Sequence, residues 1–111
     1  MSIRESIIAE IRLLSLPSEQ LAYEQSLTQS GHAPSELIDG FCSDLYNPKN
    51  EELISSFSKD ELKELAHLYG IMVEASQENS QSVASMLKSP TWRRVIELAK
   101  ELYSFYERQG T

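Results

Sequence analysis

Ser89-Pro90-Thr91-Trp92-Arg93-Arg94-Val95-Ile96-Glu97-Leu98-Ala99-Lys100-Glu101-Leu102-Tyr103-Ser104-Phe105-Tyr106 reads as one long helix. Serine can accept a hydrogen bond from an unpaired amide of the first turn, and proline's fixed φ suits the first helical position. From there Trp92, Val95, Ile96, Ala99, Leu102, Tyr103 and Tyr106 recur at i, i+3, i+4 and i+7, widened by Leu98 and Phe105, until Gly110. That spacing lines apolar side chains along one face and predicts a final helix that anchors the core. Its other face mixes Arg93, Arg94, Lys100 and Arg108 with Glu97, Glu101 and Glu107. Arg93 and Glu97 form an ordinary i,i+4 pair, so this is a solvated face and not a basic stripe for nucleic acid.

The same period recurs upstream. Ser58 and Glu61 match a capping box, in which each residue's side chain satisfies the other's amide. The run behind it predicts Leu62, Leu65, Ala66, Tyr69, Met72 and Val73 on one face, with Ile71 opposite. Gly70 weakens that helix by about 1 kcal/mol relative to alanine, so the helix either bends there or is covered on both sides. Residues 76–82 are polar and read as a surface loop, followed by a turn or two carrying Val83, Met86 and Leu87. Before Ser58, a short helical turn spans 51–57 after the loop Asn47-Pro48-Lys49-Asn50. A third helix opens near Pro34, with Leu37, Ile38, Phe41 and Leu45 inward and Glu36, Asp39 and Ser43 outward. A second, capped by Ser18, runs to about Gln29 with Leu21 and Leu27 as a weak stripe, before the break at Ser30-Gly31. The first carries Ile3, Ile7, Ile11 and Leu14, with Ile8 at the margin, and Pro17 stops it. No stretch alternates with period two between hairpin turns, so the expected fold is all-α: one domain over 1–111, a bundle of five to seven helices.

Size and composition agree. A chain of 111 residues can hide roughly 65% of the surface it exposes when unfolded, enough for one core. Apolar residues at 41% and charged residues at 24% are the balance of a globular protein, too apolar for disorder. The single cysteine, Cys42, rules out an internal disulfide framework and a multi-cysteine zinc site. Glu10 and Arg12 interrupt the apolar stretch at 7–16, which leaves neither a signal-peptide core nor a membrane span, and the expected location is cytoplasmic.

Groups able to do chemistry are few. His32 lies in a helix connection where it can help cap the next helix. His67 lies on the less apolar side of its helix, and Cys42 at the edge of the Leu37–Phe41–Leu45 stripe, where a thiol packs as a small apolar group. There is no H-E-x-x-H, C-x-x-C or calcium-loop pattern, and the four glycines stand singly instead of forming a phosphate cradle. The expectation is therefore no enzyme, no cofactor and no metal; catalysis would need His32, Cys42 and His67 to converge in one cleft.

Charge is the informative feature. The net charge is −7, and eight acids between His32 and Glu64 face only Lys49, Lys59 and Lys63. Glu36, Asp39, Asp44, Glu51, Glu52, Asp60, Glu61 and Glu64 either keep a helix surface soluble or form a partner surface, with Tyr46 and Phe57 as neighbouring aromatic anchors. Negative potential repels nucleic acid and anionic membranes and speeds encounter with a cationic protein.

Several segments carry a family resemblance: Ser18-Glu19-Gln20-Leu21, Gly31 through Leu37-Ile38-Asp39, Phe41-Cys42-Ser43-Asp44-Leu45-Tyr46, and Ser58-Lys59-Asp60-Glu61-Leu62-Lys63-Glu64-Leu65. Together they cover residues 18 to 73, and they resemble the small helical bacterial immunity proteins of the Maf and contact-dependent growth inhibition type. The helix from Ser89 onward extends beyond that pattern. The resemblance implies a cytoplasmic antidote that binds and neutralises one toxin domain, often a nuclease, delivered by a neighbouring cell. Only the acidic positions between Glu36 and Glu64 carry over as a candidate surface. The competing expectation is a helical regulatory adaptor, or a subunit of a larger assembly, recognised through an apolar patch around Ile71 or Phe105.

Overall fold

Hydroxyl and amide caps start most of the helices. In a computed structural model that describes residues 2–26 and 32–109, the elements are α1 (Ile3–Leu14), α2 (Pro17–Ser26), α3 (Ala33–Cys42), α4 (Glu51–Ser56), α5 (Lys59–Ser76), α6 (Val83–Met86) and α7 (Pro90–Arg108). Ser2, Asn50, Ser58, Ser82 and Ser89 each accept a hydrogen bond from a first-turn amide of the helix that follows. The capping box at α5 is complete: Ser58 N donates to Glu61 at 2.8 Å and Glu61 N donates to Ser58 Oγ at 3.1 Å. His32 occupies the N-cap of α3 but makes no side-chain cap bond, and Pro34 supplies that start instead. No strand occurs among the described residues, so the fold is the all-α bundle the periodicity predicts.

α7 is flanked by α5 and α1, and α3 covers another side of α5. Trp92, Val95, Ala99 and Tyr106 are fully or almost fully buried there with Ile7, Ile11, Leu14, Leu65, Leu68 and Met72. α4 rests on α1 through the buried Leu53, while α2, α3 and α6 close one end.

Several expectations change. α2 begins at Pro17, so Ser18, the expected cap, lies inside its first turn. On α5 the buried residues are Leu65, Leu68, Ile71, Met72 and Ala75, whereas Ala66, Tyr69 and Val73 are exposed. The helix lies between α7 and α3, so its buried arc is wider than a one-sided stripe and is rotated from the expected face; α5 continues unbroken through Gly70. On α2 the buried residue is Gln20, with Leu21 only half-buried. Leu27, the stretch to Gln29, the Ser30-Gly31 break and the Gly110 stop lie outside the described residues.

Gln20 has a physical task. The last carbonyls of a helix lack intrahelical partners, and Gln20 Nε2 donates to Leu13 O at 3.1 Å and Leu14 O at 3.0 Å. Its Oε1 accepts from Trp92 Nε1 at 3.0 Å, tying the C-terminus of α1 to the N-terminus of α7.

Two substitutions test this arrangement by urea unfolding followed by circular dichroism. Gln20→Met keeps the volume but strands the indole N–H and two carbonyls, and should cost about 2–4 kcal/mol. A Cβ added at Gly70 meets nothing within 4 Å; Gly70→Ala should therefore stabilise the protein by about 0.5–1 kcal/mol.

Candidate partner-binding surface

Of the nine candidate positions, Glu36, Asp39, Asp44, Glu51, Glu52, Asp60 and Glu64 are exposed. The other two are not available as expected. Tyr46 is 9% exposed: its ring stacks on Phe41 with centroids 5.5 Å apart and tilts against Tyr69 at 5.1 Å. The chain turns back after α3, with Tyr46 N bonded to Phe41 O at 2.8 Å, and this folds the ring inward. Burial pushes its hydroxyl pKa up, with Tyr69 adding to the shift. Phe57, the second expected anchor, is buried as well.

Glu61 is already occupied. Arg4 Nη1 and Nη2 donate to its two oxygens at 3.3 and 3.1 Å, a bidentate pair, and Nη1 also donates to Ser56 O at 2.8 Å. The guanidinium lies 4.8 Å from the Phe57 ring centroid and 5.5 Å from that of Tyr106. Burial pushes the Glu61 carboxyl upward, but the bonds from Arg4 and Ser58 outweigh it and hold its pKa below the ordinary value. Tyr106 is pushed up to about 12, chiefly by burial and then by Glu61. Glu61 is thus a structural acid that sequence reasoning misplaced, because its cation arrives from 57 residues away.

The remaining acids form two neighbourhoods. In the first, Glu36 accepts from Tyr23 Oη at 3.3 Å, and Asp39 accepts from Ser43 Oγ at 3.5 Å. Asp44 acts on Glu10, a half-buried residue of α1 that sequence reasoning overlooked. A Cβ on Gly40 would stand 2.7 Å from Glu10 Oε1, so glycine lets α1's carboxylate lie against α3. The signal was present: an acid beside the Ile7–Ile11 stripe, and a lone glycine inside an amphipathic helix. Burial first, then Asp44, raises the Glu10 pKa. Burial, Glu36 and Glu10 raise that of Tyr23.

In the second neighbourhood, Asp60, Glu61 and Glu64 line a groove with Glu101, Leu102 and Phe105 of α7. Glu101 is outside the acidic surface expected from sequence, and Phe105 enters that expectation only as a widening of the core stripe and as a possible apolar patch of the adaptor alternative. Glu51 and Glu52 occupy the first turn of α4, where the positive end of the helix dipole favours carboxylates.

His32 and Cys42 stand at opposite ends of α3, about 15 Å apart at 1.5 Å per residue, so they do not form a nucleophile–base pair. Burial and then Asp39 push the Cys42 thiol up to about 11, away from the thiolate. His67 is exposed and borders an adjoining hollow with Ile71, Arg93, Leu98 and Glu101. Among the described residues no group of three or more His, Cys, Asp or Glu is placed to hold a metal ion, and no helix is long and apolar enough to cross a membrane. No family model, curated protein or solved structure matches the chain.

Glu10 has a pH signature. Its pKa is raised from 4.5 on folding, so the folded chain binds more protons than the unfolded chain above that value, and stability falls as pH rises through the window. Glu10→Gln should raise the melting temperature at pH 7 and leave it nearly unchanged at pH 4. Glu61 works in the opposite sense: its pKa is lowered, so its contribution is complete above the ordinary value and disappears in acid. Glu61→Gln should destabilise at pH 7, with the difference closing as pH drops. Melting curves of the three proteins from pH 3 to 8 check both signs.

Proposed function

We propose that this protein is an immunity-type inhibitor that binds and neutralises a basic toxin domain, of nuclease type, in the cytoplasm, by covering its cationic site. It performs no chemistry of its own. The observation that supports this most is the state of the acids. Glu36, Asp39, Asp44, Glu51, Glu52, Asp60 and Glu64 are exposed, and none forms an ion pair among the described residues. The ion pairs present use Glu61, Glu19, Glu74 and Glu97 instead. Seven exposed carboxylates without an ion pair, on a chain of net charge −7, make a field that attracts a surface built to hold phosphates. A standard complex needs roughly 800 Å² per partner, about an eighth of the 6577 Å² this domain exposes.

A second reading, a helical adaptor or a subunit of a larger assembly, draws on Ile54 at 45% exposure and on Tyr69, Val73 and Phe105 at 37–38%. Of the two expected patch centres, Phe105 is exposed, whereas Ile71 is 4% exposed and belongs to the core.

Growth tests the first reading. Cells making the toxin domain encoded beside this chain should survive when the chain is co-expressed and die without it. Reversing Glu36, Asp44, Glu51 and Glu52 to lysine should slow association at low salt by about tenfold or more and flatten its salt dependence, measured by stopped flow. Binding that is indifferent to both salt and these reversals would favour the adaptor.

A further inference from the structure

α5 and α7 run antiparallel with a clear register. Asp60 and Glu64 share one groove with Glu101 and Phe105, and His67 and Ile71 share the next hollow with Arg94 and Leu98. Arg94 pairs with Glu74 at 3.6 Å one turn further on. The seam changes character along its length. Its Asp60–Phe105 end has no lysine or arginine in its lining, whereas the next hollow mixes Arg93 and Arg94 with Glu97 and Glu101.

The geometry points to the acidic end as the docking site for a basic amphipathic helix of the partner protein, with Phe105 and Leu102 taking its apolar side chains and Asp60, Glu64 and Glu101 its lysines or arginines. This inference rests on the inhibitor reading for the partner's charge, and goes beyond it by naming the groove and the recognition element. Three observations support it. First, Phe105 is 38% exposed, a large apolar side chain placed among carboxylates. A ring in that setting gives a cationic side chain an apolar wall for its stem and a π-face for its head. Second, Asp60, Glu64 and Glu101 form no ion pair among the described residues, while Glu61 beside them is held by Arg4. The site therefore presents unpaired negative charge that a cation can complete. Third, the space between α5 and α7 has a volume of about 290 Å³, roughly ten times the volume share of a water in the liquid, enough for long side chains projected from a helix.

The test is a titration of the ¹⁵N-labelled full chain with an amphipathic Leu/Lys helix of about 14 residues, four turns long. A Leu/Glu peptide of the same pattern and hexalysine are titrated alongside. The expected result is amide shifts concentrated at 58–64 and 98–106 with the Leu/Lys helix, weaker shifts with hexalysine and none with the Leu/Glu peptide. Phe105→Ser should weaken binding by about fivefold or more in about 0.3 M salt, where exposed charges are largely screened. Glu64→Gln with Glu101→Gln should do so at low salt. Phe105, Glu64 and Glu101 are all exposed, so the variants should melt near the parent temperature. Shifts centred on Glu36–Asp44 and insensitive to Phe105→Ser would overturn the groove and leave the inhibitor reading standing. Equal binding of the Leu/Glu peptide would overturn the charge assignment. Intact groove binding without protection from the toxin would overturn the inhibitor reading alone.

Discussion

The apolar stripe of α7 must be covered along its whole length, and meeting that requirement organises the molecule. One helix cannot bury a stripe bearing Trp92, Val95, Ala99, Leu102 and Tyr106, so α1 and α5 take opposite flanks. Each end is then fixed by a polar device. At the N-terminal end Gln20 bonds the Trp92 indole while satisfying two carbonyls of α1. At the C-terminal end Arg4 lies over Tyr106 and Phe57 and grips Glu61 and the Ser56 carbonyl. Apolar burial supplies the driving force without direction, and these two hydrogen-bonded pins give it a register.

Local signals were legible, and long-range ones were not. The caps at Ser58 and Ser89, the Asn47–Asn50 loop and the stripe of α7 could be read from sequence because each depends on residues within a turn or two of one another. The buried face of α5 differs from the expected stripe because the helix has two neighbours: α7 packs on one side and α3 on another, and no single 3.6-residue stripe describes a helix covered twice. Gln20, Arg4 and Glu10 were passed over for a related reason. Each is a polar residue whose importance comes from a partner far along the chain, and spacing carries no record of that. The acidic surface was legible as composition but not as geometry. Folding removes Glu61 and Tyr46 from the candidate positions and adds Glu101 and Phe105 from a segment outside the acidic stretch.

Acids next to one another in sequence do not make one surface. α3 carries Glu36 and Asp39 and places Asp44 against Glu10, whereas α5 turns Asp60 and Glu64 toward α7. The Glu10 neighbourhood works against the fold: burial and Asp44 both disfavour its charge, and the residues that shift it include no cation. A surface that needed only solubility could spread its carboxylates and avoid that repulsion.

If the chain is the inhibitor proposed above, its two acidic neighbourhoods would serve different parts of the encounter. Exposed charge without an apolar neighbour acts at a distance, raising the rate at which a basic protein arrives and fading within a Debye length as salt is added. Charge beside an exposed aromatic ring acts at contact, because desolvation strengthens the cation's attraction to ring and carboxylate together. On the proposed inhibitor reading, Glu36, Asp39, Asp44, Glu51 and Glu52 would steer a basic partner, and the Asp60–Glu64–Glu101–Phe105 groove would hold it. Arg4 pairs with Glu61, one of the four carboxylates lining this groove, and leaves Asp60, Glu64 and Glu101 exposed and without an ion pair among the described residues.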